Sequence, residues 1–228
     1  MNSNKKMLEK VRELESRLNL DLSDVRVMLE DNVREEAVKK SKRNKSELSI
    51  VKNLFKDRFY KFARPTLINK TFMSGEFYTY MTEHRVFYTR TDLGYEVAEN
   101  DYHFNFVEDF ARDIVGNEKV VSIDIDVEKL NVFIETHSKK DNTPYIIKIQ
   151  RGNHSYWLGV NPRYLMDSIK FTENNNIMFV VGGDSHVKCP IYNCAVDDTE
   201  LLTKLVVTLP VHCGNLNNIK ADYSYLVS

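Results

Sequence analysis

The residues of this sequence whose types could do chemistry fall into three groups. His186, Cys189, Cys194, His212 and Cys213 are the residue types that hold zinc through imidazole and thiolate. Their order is His-x2-Cys-x4-Cys, with His-Cys much later. That lacks the close pairing of ligands on turns that zinc sites use. Asp124 and Asp126 share one face of an alternating strand, with Glu128 following, as a two-metal nuclease would require. No lysine stands at the spacing that reaction needs and no third carboxylate is evident, so no metal and no cofactor is expected. The third group is basic. The run "KKSKRNK", residues 39–45, puts five basic side chains in seven positions. Residues 1–60 hold 15 Lys and Arg against 11 Asp and Glu, in a chain whose formal charge is −1. Such a cluster grips phosphates or lies in solvent as a linker.

Other catalytic patterns are missing. "VGGDSH" has no nucleophile elbow, and Gly182-Gly183 reads as a hairpin turn. No Gly-rich phosphate loop is present. No run of about 18 apolar residues marks a membrane span, and "MNSNKKMLEK" lacks a signal-peptide core. Three cysteines without framework spacing point to a reducing, cytoplasmic setting.

The elements that must position these residues follow from periodicity. Residues 1–62 contain no Gly and no Pro, and their apolar residues recur at helical spacing. Met7, Val11, Leu14 and Leu18 form one seam. Val25, Met28, Leu29 and Val33 form a second, capped by Asp21 or Ser23. Asn44 and Glu47 form a capping box for a third helix that ends at Arg64-Pro65. Residues 66–98 switch to an aromatic, β-branched meander turning at Ser74-Gly75 and Leu93-Gly94. Residues 102–114 suit a helix. The segment 120–127 alternates cleanly, with Val121, Ile123, Ile125 and Val127 on one face. A helix with Leu130, Phe133, Ile134 and His137 on one side follows at once. Strands are then expected at 145–151 and 155–160, and a helix with Leu165, Met166 and Ile169 inward after Asn161-Pro162. Three closing strands are expected at 176–182, 185–194 and 204–211, and a polar, loosely held tail over 212–228. Trp157 belongs to the core.

"IDVEKLNVFI" and "VNPRYLMDSI" superpose with Leu130 on Leu165 and Ile134 on Ile169, 35 residues apart. A strand–helix unit used twice in one sheet puts both helices on one face, because each buries its apolar stripe there. Their other faces then point outward as a pair.

The C-terminal third resembles the last domain of the bacterial DNA polymerase III beta subunit, the sliding clamp. The residues that carry this are "VNPRYLMDSIKF", "NIMFVVGG", "SHVKCPIYNC", the acidic loop "VDDTE" and "LVVTLPV", in that order. Asn161, Arg163, Tyr164, Leu165, Asp167 and Ile169 match the strand-to-helix motif, and Leu209-Pro210-Val211 matches the terminal triplet. The likeness covers about residues 120–211. It departs from the family in four ways. The helical segment 1–62 has no counterpart. Three strands separate the two helices of a family domain, and here 139–154 has room for one clear strand. Family chains carry three such domains, and this chain has room for one or two. The chain also runs 17 residues past Val211.

The resemblance implies an α+β fold: a clamp-like domain (63–228) of curved antiparallel sheet with two helices on one face, preceded by a helical arm (1–62). It implies a non-enzymatic accessory of DNA replication, a processivity factor that slides on duplex DNA as a homo-oligomer beside a polymerase, in the bacterial cytoplasm or, for a phage-encoded relative, the host's. Lys129, Lys139, Lys140, Arg163 and Lys170 would contact the phosphate backbone. His186, Leu209, Pro210 and Val211 would line a cleft for partner peptides. The competing expectations are a DNA-binding regulator that reads DNA through residues 1–62, and a modulator that docks on a polymerase or host clamp.

Overall fold

The structure, a computed structural model, describes residues 7, 9–14, 25, 28–29, 32, 46–54, 60–70, 73–91, 93, 113–114, 117–137, 143–198 and 201–227. The chain divides into compact units of residues 1–48 and 49–228. In the first unit residues 9–14 are helical, as Gly- and Pro-free sequence of helical period allows. Leu29 is buried there, whereas Met7, Leu14, Val25 and Met28 are exposed. The caps expected at Asp21, Ser23 and Asn44, the basic run 39–45, residues 102–112, Lys139 and Lys140 lie outside the described residues.

The second unit is built on two sheets rather than one. The larger has the strands β1 (Tyr60–Lys70), β2 (Met73–Thr82), β3 (Arg85–Thr89), β4 (Val120–Asp124), β7 (Asn176–Val180), β8 (Ile191–Val196) and β9 (Leu202–Thr208), ordered β1-β2-β3-β9-β8-β7-β4. All of its pairings are antiparallel. The smaller has β5 (Tyr145–Arg151), β6 (His154–Val160) and β10 (Tyr223–Val227), ordered β10-β5-β6. Helix α1 (Val127–Thr136) follows β4 of the large sheet, and α2 (Pro162–Thr172) follows β6 of the small one. The repeated strand–helix unit is therefore real as local structure, but its two strands belong to different sheets.

β3 is buried at every position, and Leu205, Val206 and Val207 of β9 are all buried. The reason is that the middle of the large sheet is covered on both faces. Val86, Tyr88, Leu205 and Val207 join Phe77, Met81 and Tyr192 on one side. Phe87 and Val206 join Ile50, Val51, Leu54, Tyr80 and Phe171 on the other. A third cluster fills the space among the small sheet, α1, α2, β4 and β7, with Ile147, Ile149, Leu158, Leu130, Leu165, Ile177 and Phe179 among its members.

Several expectations are corrected. The strand β1 begins at Tyr60, ahead of the expected helix stop at Arg64-Pro65. Pro65 pairs with Tyr78 on the edge strand, where a missing N–H is tolerated. Ser74 and Gly75 pair with Asn69 and Ile68 inside β2, because the register Lys70↔Met73 reverses the chain earlier. Val127 opens α1 instead of closing β4, because the Asp126 side chain caps the helix. The segment 185–194 is not one strand: Pro190 cannot donate to a ladder, and β8 starts at Ile191. The tail is not loose. It forms a 3-10 turn at Leu216–Asn218 and then β10, which runs parallel to β5 with Tyr223 opposite Ile147. No helix among the described residues is long and apolar enough to cross a membrane.

Candidate functional site

Both helices start on a side-chain cap. The Asp126 carboxylate accepts the Lys129 N–H at 3.0 Å, and that bond draws its pKa below the usual carboxylate value. The Asn161 amide oxygen accepts the N–H groups of Arg163 (3.0 Å) and Tyr164 (3.3 Å), and Pro162 sits where a helix has a spare N–H position. The helices pack on each other, and Arg163 ties them. Its Nη2 donates to the carbonyls of Ile134 (3.4 Å) and His137 (3.3 Å), at the negative end of α1.

That arrangement changes the outward pair of helices. In α2 only Lys170 is fully exposed, while Leu165, Met166, Ser168, Ile169, Phe171 and Thr172 are buried. The open face belongs to α1, where Glu128 and Glu135 outnumber Lys129. The Lys129 ammonium lies 3.6 Å from the Asp126 carboxylate and 4.4 Å from the centre of the Tyr223 ring. Lys129, Arg163 and Lys170 thus sit on neighbouring helices without forming a wholly basic face.

Of the residues expected at the cleft, His186 and Val211 meet. Leu209, Pro210 and Val211 follow β9 rather than ending it, and Leu209 keeps 37% of its surface exposed. The chain is laid back over β6 there: the Val211 N–H donates to the Gly159 carbonyl at 2.9 Å. A strap pairs along the same edge of β6. Trp157 N–H donates to Ser185 O at 2.6 Å, and Val187 N–H donates to Trp157 O at 2.8 Å. Between these bonds His186 turns its Nε2 to the Val211 carbonyl at 3.2 Å, with Cys213 Sγ 3.5 Å away and the His212 ring 5.1 Å away. Donating to that carbonyl fixes the Nε2–H tautomer. A second proton would enter at Nδ1, which is buried without a partner. Burial therefore pulls the His186 pKa down, helped by His212 and Lys188 and opposed by the Val211 hydrogen bond and Asp184. The strap-to-tail contact is expected to be complete above about pH 6.5, the unfolded-state value for histidine, and to be lost as pH falls below it. Amide-exchange protection of Val187 and Val211 should drop between pH 7.5 and 5.5, and His186→Asn should remove that dependence.

His186, His212 and Cys213 come close together, but no group of three or more potential ligands arranged to hold a metal ion occurs among the described residues. Burial raises the Cys213 thiol to about 11, which keeps it protonated.

Three features have no motif in the sequence. Arg85 of β3 is 5% exposed. Its Nη1 donates to Asp167 Oδ2 at 2.7 Å, and its guanidinium lies 4.0 Å from the centre of the Tyr164 ring. Two residues of the strand-to-helix motif are thus occupied with one arginine. The polar gap at 174–176 is a set of clips. Asn174 Nδ2 donates to Cys194 O (2.8 Å), Asn175 Nδ2 to Ile125 O (3.3 Å) and Asn176 Nδ2 to Asp124 Oδ1 (2.9 Å). Buried Asn193 answers from β8, donating to the carbonyls of Asn174 (2.8 Å) and Asn176 (2.7 Å), with Thr172 Oγ1 on its own oxygen. In β10, the Tyr225 hydroxyl donates to Asp124 O at 2.5 Å and closes the small sheet onto the end of β4.

No family model matches the sequence, and no curated protein matches it. Among solved structures the chain is similar to DNA polymerase sliding clamps. One is the Bartonella birtlesii clamp bound to griselimycin, at 16% identity and a TM-score of 0.35, over 61% of this chain and 42% of that one. The Caulobacter crescentus clamp gives 14% and 0.35, over 61% and 42%. The Pseudomonas aeruginosa clamp gives 14% and 0.34, over 61% and 43%. The chain spans less than half the length of each of these clamps. At these values the likeness carries no functional argument.

Proposed function

We propose that the chain is a non-enzymatic accessory of DNA replication, a sliding-clamp-like protein that holds duplex DNA loosely and docks a peptide segment of a polymerase or another replication protein. The observation that carries this reading is the pairing of α1 and α2: two strand–helix units of like spacing, each started by a side-chain cap and joined by Arg163 on the Ile134 and His137 carbonyls. Lys129 and Lys170, with Lys139 and Lys140 of the sequence after α1, would reach phosphates, with Arg163 setting the helix spacing. Glu128 and Glu135 on the same surface keep the contact weak, which suits sliding better than a fixed grip. The cleft of Leu209, Pro210, Val211 and His186 would take the partner's apolar side chains, Leu209 being the exposed apolar member. A chain of this length would need several copies to surround DNA.

The test is retention on DNA of different topology, with light scattering to give the mass with and without DNA. The protein is expected to stay on a nicked circle, to run off the linear form, and to lose both associations steeply with salt. Preference for one short duplex sequence would sink the proposal in favour of a regulator. Cleavage on addition of magnesium or manganese would sink it in favour of a nuclease.

A further inference from the structure

A groove beside α1 shares Glu128 and Lys129 with the surface described above but is not otherwise used by that reading. It holds about 430 Å³, within the range of small-molecule sites. Val132 and Phe133 of α1 and Tyr145 at the start of β5 make its apolar lining, and Glu128 and Asp222 bring carboxylates to it. Val132 is exposed, so the apolar wall is open to solvent.

The charges in this groove are unevenly committed. Lys129 also lines it, but its ammonium is directed at Asp126 and the Tyr223 ring. Glu128 carries no ion pair among the described residues. Asp222 uses Oδ2 to accept the Ile146 N–H at 2.8 Å, which leaves Oδ1 uncommitted. Among the described residues the groove therefore presents net negative charge against an apolar wall.

The second observation is Tyr145. The residue is 2% exposed, and its hydroxyl is buried with no hydrogen-bond partner. A buried hydroxyl left unpaired costs about 1–3 kcal/mol, so native structures rarely keep one idle. Burial pushes its pKa up to about 12, and the next cause is the charge of Asp222, which places the phenol in the field of the same carboxylate that lines the groove. The hydroxyl accepts as well as donates. The Phe133 and Tyr145 rings meet edge to face at 5.0 Å, a firm surface for a flat or aliphatic stem.

We propose that this groove binds an organic cation: an ammonium or guanidinium group carried on an apolar stem. The cation would lie between Glu128 and Asp222, and the stem would lie on Val132 and Phe133. The chemistry is shared by a free amine or amidine and by an arginine side chain offered by a peptide. The proposal needs neither DNA nor the cleft at Val211, although Glu128 and Lys129 also stand on the surface assigned to DNA.

The experiment titrates the full chain with benzamidinium, followed by chemical shifts of the α1 amides, with neutral benzamide as the isosteric control. Benzamidinium is expected to saturate with a Kd of about 1 mM or tighter and to shift Val132 and Phe133. Benzamide should bind at least about fivefold more weakly. Glu128→Gln leaves the fold untouched, because that side chain has no ion pair to lose, and should weaken the cation about threefold. Tyr145→Phe reports on the hydroxyl separately and should also weaken it. A parallel titration with acetyl-Ala-Arg-Ala-amide distinguishes the sources: tighter binding of the peptide assigns the groove to a partner chain, and tighter binding of benzamidinium to a free small molecule. Equal binding of benzamide and benzamidinium, no change in Glu128→Gln, or no saturation by 10 mM would each overturn the proposal.

Discussion

Replacing Asp167 by alanine is expected to lower the urea midpoint of the 49–228 unit by the equivalent of about 3 kcal/mol. That is the low end for stranding one member of a buried ion pair. The low end applies because Asp167 is 24% exposed while Arg85 is 5% exposed, so water reaches one partner and not the other. Without Asp167 the guanidinium keeps its stack on Tyr164 but has no carboxylate, and its Nε is already buried without a partner. The double variant Arg85→Met/Asp167→Leu provides the check. It removes both charges and fills the same space, so it should recover most of the loss. If the double variant is as unstable as Asp167→Ala, the charge is not what matters and the packing of α2 against β3 is.

The second large effect is expected at Gly159. A Cβ built there would stand 2.5 Å from Cys213 Sγ and 2.6 Å from Val211 O. The first neighbour is a side chain that can turn away, but the second is backbone, so the segment 211–213 must lift from β6. The Val211-to-Gly159 hydrogen bond and the His186 contact would go with it. Gly159→Ala should cost about 1–3 kcal/mol, as overpacking does. The specific readout is Cys213, whose thiol burial now holds near 11 and half-covers. Its alkylation rate, followed by peptide mass, should rise well above those of Cys189 and Cys194. An unchanged Cys213 rate in a folded Gly159→Ala protein would mean that the tail does not lie over β6 as described.

Legibility in the sequence tracked how local each cause is. β5 was expected at 145–151 and found there, and β6 at 155–160 was off by one residue, because alternation and turn residues lie within a few positions of each other. Helix α2 was marked by Asn161-Pro162 and its apolar stripe. The meeting of His186 with Val211 came only from family likeness, since 25 residues separate them. What stayed hidden was long-range. Parallel pairing of β10 with β5 has no turn signal, and the polar look of 212–228 concealed a strand with Tyr223 and Tyr225 packed inward and Ser224 and Leu226 outward. Asn174–Asn176 read as a gap because amide side chains that serve distant carbonyls look like loop residues. Arg85 and Asp167 are 82 positions apart, and nothing near either one announces the other. The single curved sheet failed for a related reason: periodicity tells which face of a strand is apolar, but not which neighbour it pairs with.

β10 also matters while the protein is being made. It covers one edge of β5, and its pairing partner is about 76 residues earlier in the chain. At about 5–20 residues per second a ribosome needs roughly 4–15 s to cover that distance. For most of that interval, once β6 is complete at Val160, the β5–β6 hairpin stands with Ile147 and Ile149 beside an unpaired backbone edge, a template for other nascent chains. Crowded polysomes should therefore be the condition under which this protein most needs a chaperone.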